Sequence, residues 1–121
     1  MSKLVPIETQ NLTHAQSGTP SRPISGDTTY KTLESFSSPN EQQSSGVWEA
    51  TAGSFRANVV GYTEFCHILE GHCRVVDPDG TVHRFCAGDS FVLPDGFTGH
   101  WEVDSKVKKV FFIATTKPRW P

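Results

Sequence analysis

The sequence predicts an all-β domain, an antiparallel sandwich or barrel that carries an extended polar arm at its N-terminus. Three observations point there. From Gly46 onward, short segments rich in β-branched and aromatic side chains recur between turn signals. No stretch after residue 46 sustains a helical apolar period. The chain's 121 residues are enough for one compact core and too few for two.

The composition shifts near residue 46. Residues 1–45 are rich in Ser, Thr, Pro, Asn and Gln, and hold only Tyr30 and Phe36 of the 13 aromatic residues. Such a segment buries little apolar surface alone, so residues 1–45 are expected to lie over the domain as an arm. Within it, TPSRPISGDTTYKTLESF carries enough Ile, Tyr, Leu and Phe to dock as an irregular arm or an edge strand. Residues 46–117 form the expected barrel. Its predicted strands are, in order, GVWEATA, SFRANVV, TEFCHILE, HCRVVD, TVHRFCA, SFVLP, GHWEV and VKKVFFIAT. The turn signals between them are Gly53, Gly61, Gly71, DPDG at 77–80, AGD at 87–89 and PDG at 94–96. VVDPDGTV reads as a β-hairpin. In TEFCHILE, strand alternation places Glu64, Cys66 and Ile68 on one face and Phe65, His67 and Leu69 on the other. His83 alternates with Val82 and Arg84 and belongs to no constellation, which makes it a surface residue.

Composition excludes some function classes. A net charge of −2 argues against a dedicated nucleic-acid or anionic-membrane binder, since both need a basic surface. Lys108–Lys109 is the only adjacent basic pair and reads as a strand feature. The longest apolar run, VFFIA, is far short of a membrane span. MSKLVPIETQ lacks the apolar centre of a signal peptide. Cys66, Cys73 and Cys86 are odd in number and not closely paired, so free thiols in a reducing cytoplasm are expected. Cys66 and Cys86 read as small hydrophobes of the core. No Ser-His-Asp arrangement, phosphate-cradling Gly-rich loop or Cys-x-x-Cys pair is present.

The stretch TEFCHILEG…DPDGTVHRFCAGDSFVLPDGFTGHWEV resembles the cupins, and GVWEATAGSF with VKKVFFI extends the likeness to roughly residues 46–114. The resemblance is to the small single-domain type related to ureidoglycine aminohydrolase. It implies a double-stranded β-helix, or jelly-roll, barrel. Cupins carry G-x5-H-x-H-x3,4-E-x6-G and G-x5-P-x-G-x2-H-x3-N. This chain matches E-x6-G with Glu64 and Gly71, and G-x5-P-x-G with Gly88, Pro94 and Gly96. The metal-binding His positions fall instead on Asn58 and Val60, or on Ala57 and Val59, and then on Gly99; the terminal Asn falls on Val103. Only Glu64 of the usual ligands remains, where a first-row divalent ion needs three or four. No metal or other cofactor is therefore expected. A Glu64–Cys66–His72 set is the remaining way to rebuild a metal site.

The resemblance turns Glu64 into the barrel, and alternation then brings Cys66 and Trp101 inward and sends His67 and His100 outward. Trp101 would fill much of the space of a metal and its waters. Glu64 is the candidate general acid or base, because burial raises a carboxyl pKa into a useful range. The competing role is a carboxylate held by a cation to fix the barrel, and Lys109, which the resemblance places in the last strand, is its expected partner. Tyr62 and Asn58 are candidate polar contacts at the mouth; Trp48 and Phe97 are core or lid residues. The expected function is metal-independent binding of a small polar metabolite, cationic if Glu64 sets the charge, by Asn58, Tyr62, Glu64, Cys66, Trp101 and Lys109. The alternatives are an enzyme acting on a C–N bond of a ureido or amino-acid metabolite, and an oligomeric accessory subunit without chemistry. A homodimer is the expected assembly.

Overall fold

The computed structural model describes residues 2–116. Eight strands form without any helix among these residues: β1 (Gln16–Gly18), β2 (Pro23–Ser25), β3 (Tyr30–Ser37), β4 (Gln43–Arg56), β5 (Tyr62–Val76), β6 (Val82–Cys86), β7 (Ser90–Leu93) and β8 (His100–Thr115). They pair in the order β1-β3-β4-β8-β5-β6, with β2 added on β4 and β7 on β5. Every pairing is antiparallel. The all-β expectation holds, and the arrangement is that of a jelly-roll barrel.

The strand boundaries differ from the sequence reading in one systematic way. GVWEATA runs on into the SFR of SFRANVV as a single strand, while residues 57–60 fall outside it; TEFCHILE likewise joins HCRVV, and HWEV joins VKKVFFIAT. Gly53 and Gly71, taken for turns, sit at bulges inside long strands. The β4–β8 register shifts between Thr51 and Gly53, and β5–β8 shifts at Ile68/Glu70 and at Gly71/Arg74. A bulge bends a strand and increases its twist without ending it. Gly71 has φ 79° and sits where a Cβ would lie 2.0 Å from the Lys106 carbonyl oxygen. The bend therefore depends on the missing side chain. DPDG is a true hairpin turn: Asp77 N–H donates to Thr81 at 2.9 Å, and Val76 pairs with Val82.

The N-terminal segment is woven into the sheet. Tyr30–Ser37 pairs along β4 from Ala50 to Ser44, so β3 is a full strand. β4 itself begins at Gln43, three residues before the compositional shift.

The core lies on the inner face, where Cys66, Ile68, Cys73 and Val107 are essentially inaccessible. Burying an aliphatic side chain there contributes about 1.5–3 kcal/mol each. Cys86 departs from its expected place in this core and is exposed. It pairs with exposed His72, while its neighbour Phe85 turns inward and stacks on Phe91 at 4.1 Å. Alternation gives the inner position to only one of the two, and the larger aromatic takes it.

Candidate functional site

Alternation along β5 puts Glu64, Cys66 and Ile68 on the inner wall, all buried. On β8, Lys109 pairs across to Ile68 on one side and to Trp48 of β4 on the other. Its long side chain runs back along β5 past Cys66 to reach Glu64. Lys109 Nζ donates to Glu64 Oε2 at 2.7 Å, and the Cys66 thiol donates to the same oxygen at 3.3 Å. The pair is almost sealed: Glu64 is 8% and Lys109 5% exposed.

The ammonium also lies 4.4 Å from the Trp48 ring centre and 4.6 Å from that of Trp101. Both indoles present electron-rich faces to it, which a desolvated cation–π contact makes worth about 2 kcal/mol. Burial alone would lower the Lys109 pKa; the Glu64 charge and Cys66 outweigh it and hold the ammonium above its ordinary value. The protonated amine is thus the resident form. Burial pushes the Cys66 thiol up to about 12, so it is a neutral donor rather than a nucleophile.

These groups stand at the floor of a cavity of about 590 Å³. Tyr30, Trp48, Phe55 and Trp101 supply aromatic walls, with Tyr30 5.0 Å from Trp48 and 5.3 Å from Phe55. Tyr62 lines the same space, and burial, with the Glu64 charge added, raises its phenol. Asn58 reaches the cavity from the exposed rim segment between β4 and β5. That rim is pinned by the PDG turn. Val59 N–H donates to Phe97, Gly96 N–H to Val59, and Gly61 N–H to Asp95 Oδ1 at 2.7 Å.

Of the residues singled out in the sequence, Asn58, Tyr62, Glu64, Trp101 and Lys109 line the cavity, and Cys66 supports it from behind. His72 does not join them: it is exposed and meets Asp104 at 3.3 Å. A Glu64–Cys66–His72 metal set is therefore not assembled. Among the described residues no group of three or more His, Cys, Asp and Glu is placed to hold a metal ion. The residues present do not fit the metal that the cupin motifs hold, because the carboxylate already faces an ammonium. His100 lies on the outer face against Glu102 at 2.9 Å. His83 is exposed beside Asp77. Phe97 packs against the core from the rim. Sequence reasoning missed Tyr30, Thr32 and Phe55 as cavity residues, and with them the exposed cations Arg22 and Arg56. The alternation of Tyr30 and Thr32 in TTYKTLESF was the available signal, but their partner strand lies 16 or more residues away.

The sequence matches no curated protein. Among solved structures, a protein of unknown function from Pseudomonas syringae pv. tomato aligns at a TM-score of 0.73 and 18% identity, covering 83% of this chain and 44% of that one. The EutQ protein of Clostridium difficile aligns at 0.63 and 17% identity, over 73% and 64% of the two chains. Ectoine synthase from P. lautus aligns at 0.64 and 13% identity, over 78% and 69%. The chain spans less than two-thirds of the length of the first two. At such identities the likeness is one of fold, and proteins sharing it differ in function. A family model for the EutQ-like cupin domain matches residues 37–111, from the end of β3 through most of β8. The chain therefore belongs to the EutQ-like cupin domain family.

Proposed function

We propose that this chain is a metal-independent cupin that binds a small polar metabolite in the barrel cavity around Glu64. The observation that carries this reading is the buried Glu64–Lys109 pair at the floor of an aromatic-walled cavity. A cavity of this size lies within the range of about 300–1,000 Å³ typical of small-molecule sites. Polar groups, among them Arg22, Arg56, Asn58, Tyr62, Glu64 and Lys109, share the wall about evenly with apolar ones, and such polar groups fix a ligand's orientation. Lys109 supplies a positive charge where a metal would have to sit, so the pair supports binding without one.

The test is a thermal-shift and calorimetric screen of polar metabolites against the wild type and Glu64→Gln, after elemental metal analysis. Expected are no stoichiometric transition metal and a ligand that raises the Tm of the wild type but not of the variant. A stoichiometric metal, or binding indifferent to Glu64→Gln, overturns the proposal.

A second reading, favoured by the cavity position of Glu64, makes it the acid or base of a reaction at a C–N bond in a ureido or amino-acid metabolite. Turnover by the wild type and none by Glu64→Gln separates it from binding alone. A second copy of the chain is the proposed partner. Cross-strand neighbours Val92, Phe65 and Phe112 leave an exposed apolar row on the outer face, which supports a dimer. Three free cysteines support a reducing, cytoplasmic location.

A further inference from the structure

We infer that the cavity takes a planar cyclic amide: a neutral ring with an N–H and a C=O side by side, the chemistry of a lactam. The inference rests on the binding role of the Glu64 cavity and names what that cavity accepts.

It starts from the hydrogen-bonding capacity left over at the floor. Glu64 Oε2 takes both the Lys109 ammonium and the Cys66 thiol. Oε1 has no partner among the described residues, yet no buried polar side-chain atom among them lacks one. Oε1 is therefore open to the cavity that Glu64 lines. An ammonium has three N–H donors. Lys109 spends one on Oε2 among the described residues, which leaves N–H donors for the Trp48 and Trp101 faces and for the cavity that it lines.

The floor thus offers one acceptor and one donor, on groups whose bonded atoms are only 2.7 Å apart. At the floor the two charges cancel; the other cations of the lining, Arg22 and Arg56, are exposed, and solvent screens them. A ligand cation would gain from Glu64 and be repelled by Lys109; a ligand carboxylate would meet the reverse. A neutral group with a donor beside an acceptor satisfies both at once and leaves neither buried group unmatched. An open-chain secondary amide points its N–H and C=O to opposite sides, because the trans form is favoured by about 2.5–4 kcal/mol. A ring forces them onto one edge. The ring also gives Tyr30, Trp48, Phe55 and Trp101 a flat surface to pack on, whereas a small aliphatic ion would leave those walls unused.

The experiment is calorimetry on the wild-type chain with four matched flat probes: 2-pyridone, 1-methyl-2-pyridone, benzoate and benzylamine. 2-Pyridone is expected to bind, and its N-methyl counterpart at least about tenfold more weakly, because methylation removes the donor to Glu64 Oε1. Equal binding of the two pyridones overturns the inference. So does a preference for benzoate or benzylamine, which would leave the cavity a metabolite site of a different class. Silence from all four probes, together with a silent metabolite screen, removes the binding role itself. In Glu64→Gln, with folding checked by circular dichroism, the discrimination against the N-methyl probe is expected to collapse. Because the wild-type pair decides by itself, an unstable variant does not rescue the idea.

Discussion

Among the ion pairs that tie β5 to β8, two systems lie on opposite faces of the same strand pair. Inside, Glu64 and Lys109 meet at 2.7 Å and are nearly sealed from water. Outside, Arg74 donates to Glu102 at 2.8 Å and grips Asp104 with two bonds of 2.9 Å, while Asp104 remains half exposed. The distances are alike and the environments are opposite. Solvent, and not separation, sets what each is worth. A surface pair typically contributes about 0–1 kcal/mol, while a buried pair becomes costly chiefly when one partner is removed. The outer system fastens the far end of the strands, and the inner one is the barrel's chemistry.

The largest expected effect breaks the inner pair. Lys109→Met strands a buried carboxylate and should cost about 3–5 kcal/mol in urea denaturation. Adding Glu64→Leu should recover most of that, because an apolar replacement of a whole pair is nearly neutral. A double variant as unstable as the single would show that packing around Lys109, rather than charge, is at stake. Next comes the bend between the two systems. Gly71→Ala places a side chain at φ 79° and against the Lys106 carbonyl, and should destabilise by about 3 kcal/mol. A neutral result would mean that the bulge relaxes and the two ends of β5 are independent.

Arg74→Gln should be milder and depend on pH. The Arg74 guanidinium, aided by His100 at Glu102 and by His72 at Asp104, holds both carboxyls below their ordinary values of 4.5 and 3.8. Depressed carboxyls stabilise the fold above those values, and the benefit is lost as pH falls through the lowered ones. The variant's deficit should therefore be present at neutral pH and vanish in acid. A deficit that persists in acid would point to lost packing of the Arg74 stem. The smallest effect concerns thiols. Cys86 should take a thiol reagent in the native protein, more slowly than a free cysteine because Asp89 raises its pKa. Cys66, at about 12, and Cys73, at about 11, should react only on unfolding.

How far the sequence could be read follows the range of the interactions involved. Period-two alternation is local, and it placed Glu64 and Cys66 on one face; the resemblance turned that face inward. Turn chemistry is local too, and DPDG made its hairpin. Gly53 and Gly71 misled because a positive-φ glycine serves a turn and a bulge equally well; the choice is made by whether a partner strand continues alongside. Long-range pairing explains the remainder. Nothing local in TTYKTLESF says that Tyr30 will lie against Trp48 and Phe55, or that the polar-looking arm supplies one wall of the cavity. The Glu64–Lys109 contact spans 45 residues and was legible only through a resemblance. The competition for the inner side of β6 was settled by side-chain volume, which alternation alone does not weigh.

The flanking of Lys109 by Trp48 and Trp101 has a practical consequence. Indole emission responds to a charge at the ring face and to a new ring stacked beside it. Two of the chain's three tryptophans sit at this one spot. The cavity is thereby its own optical reporter: a change in occupancy, or in the ammonium between the rings, is readable as a shift in intrinsic fluorescence from the unlabelled protein.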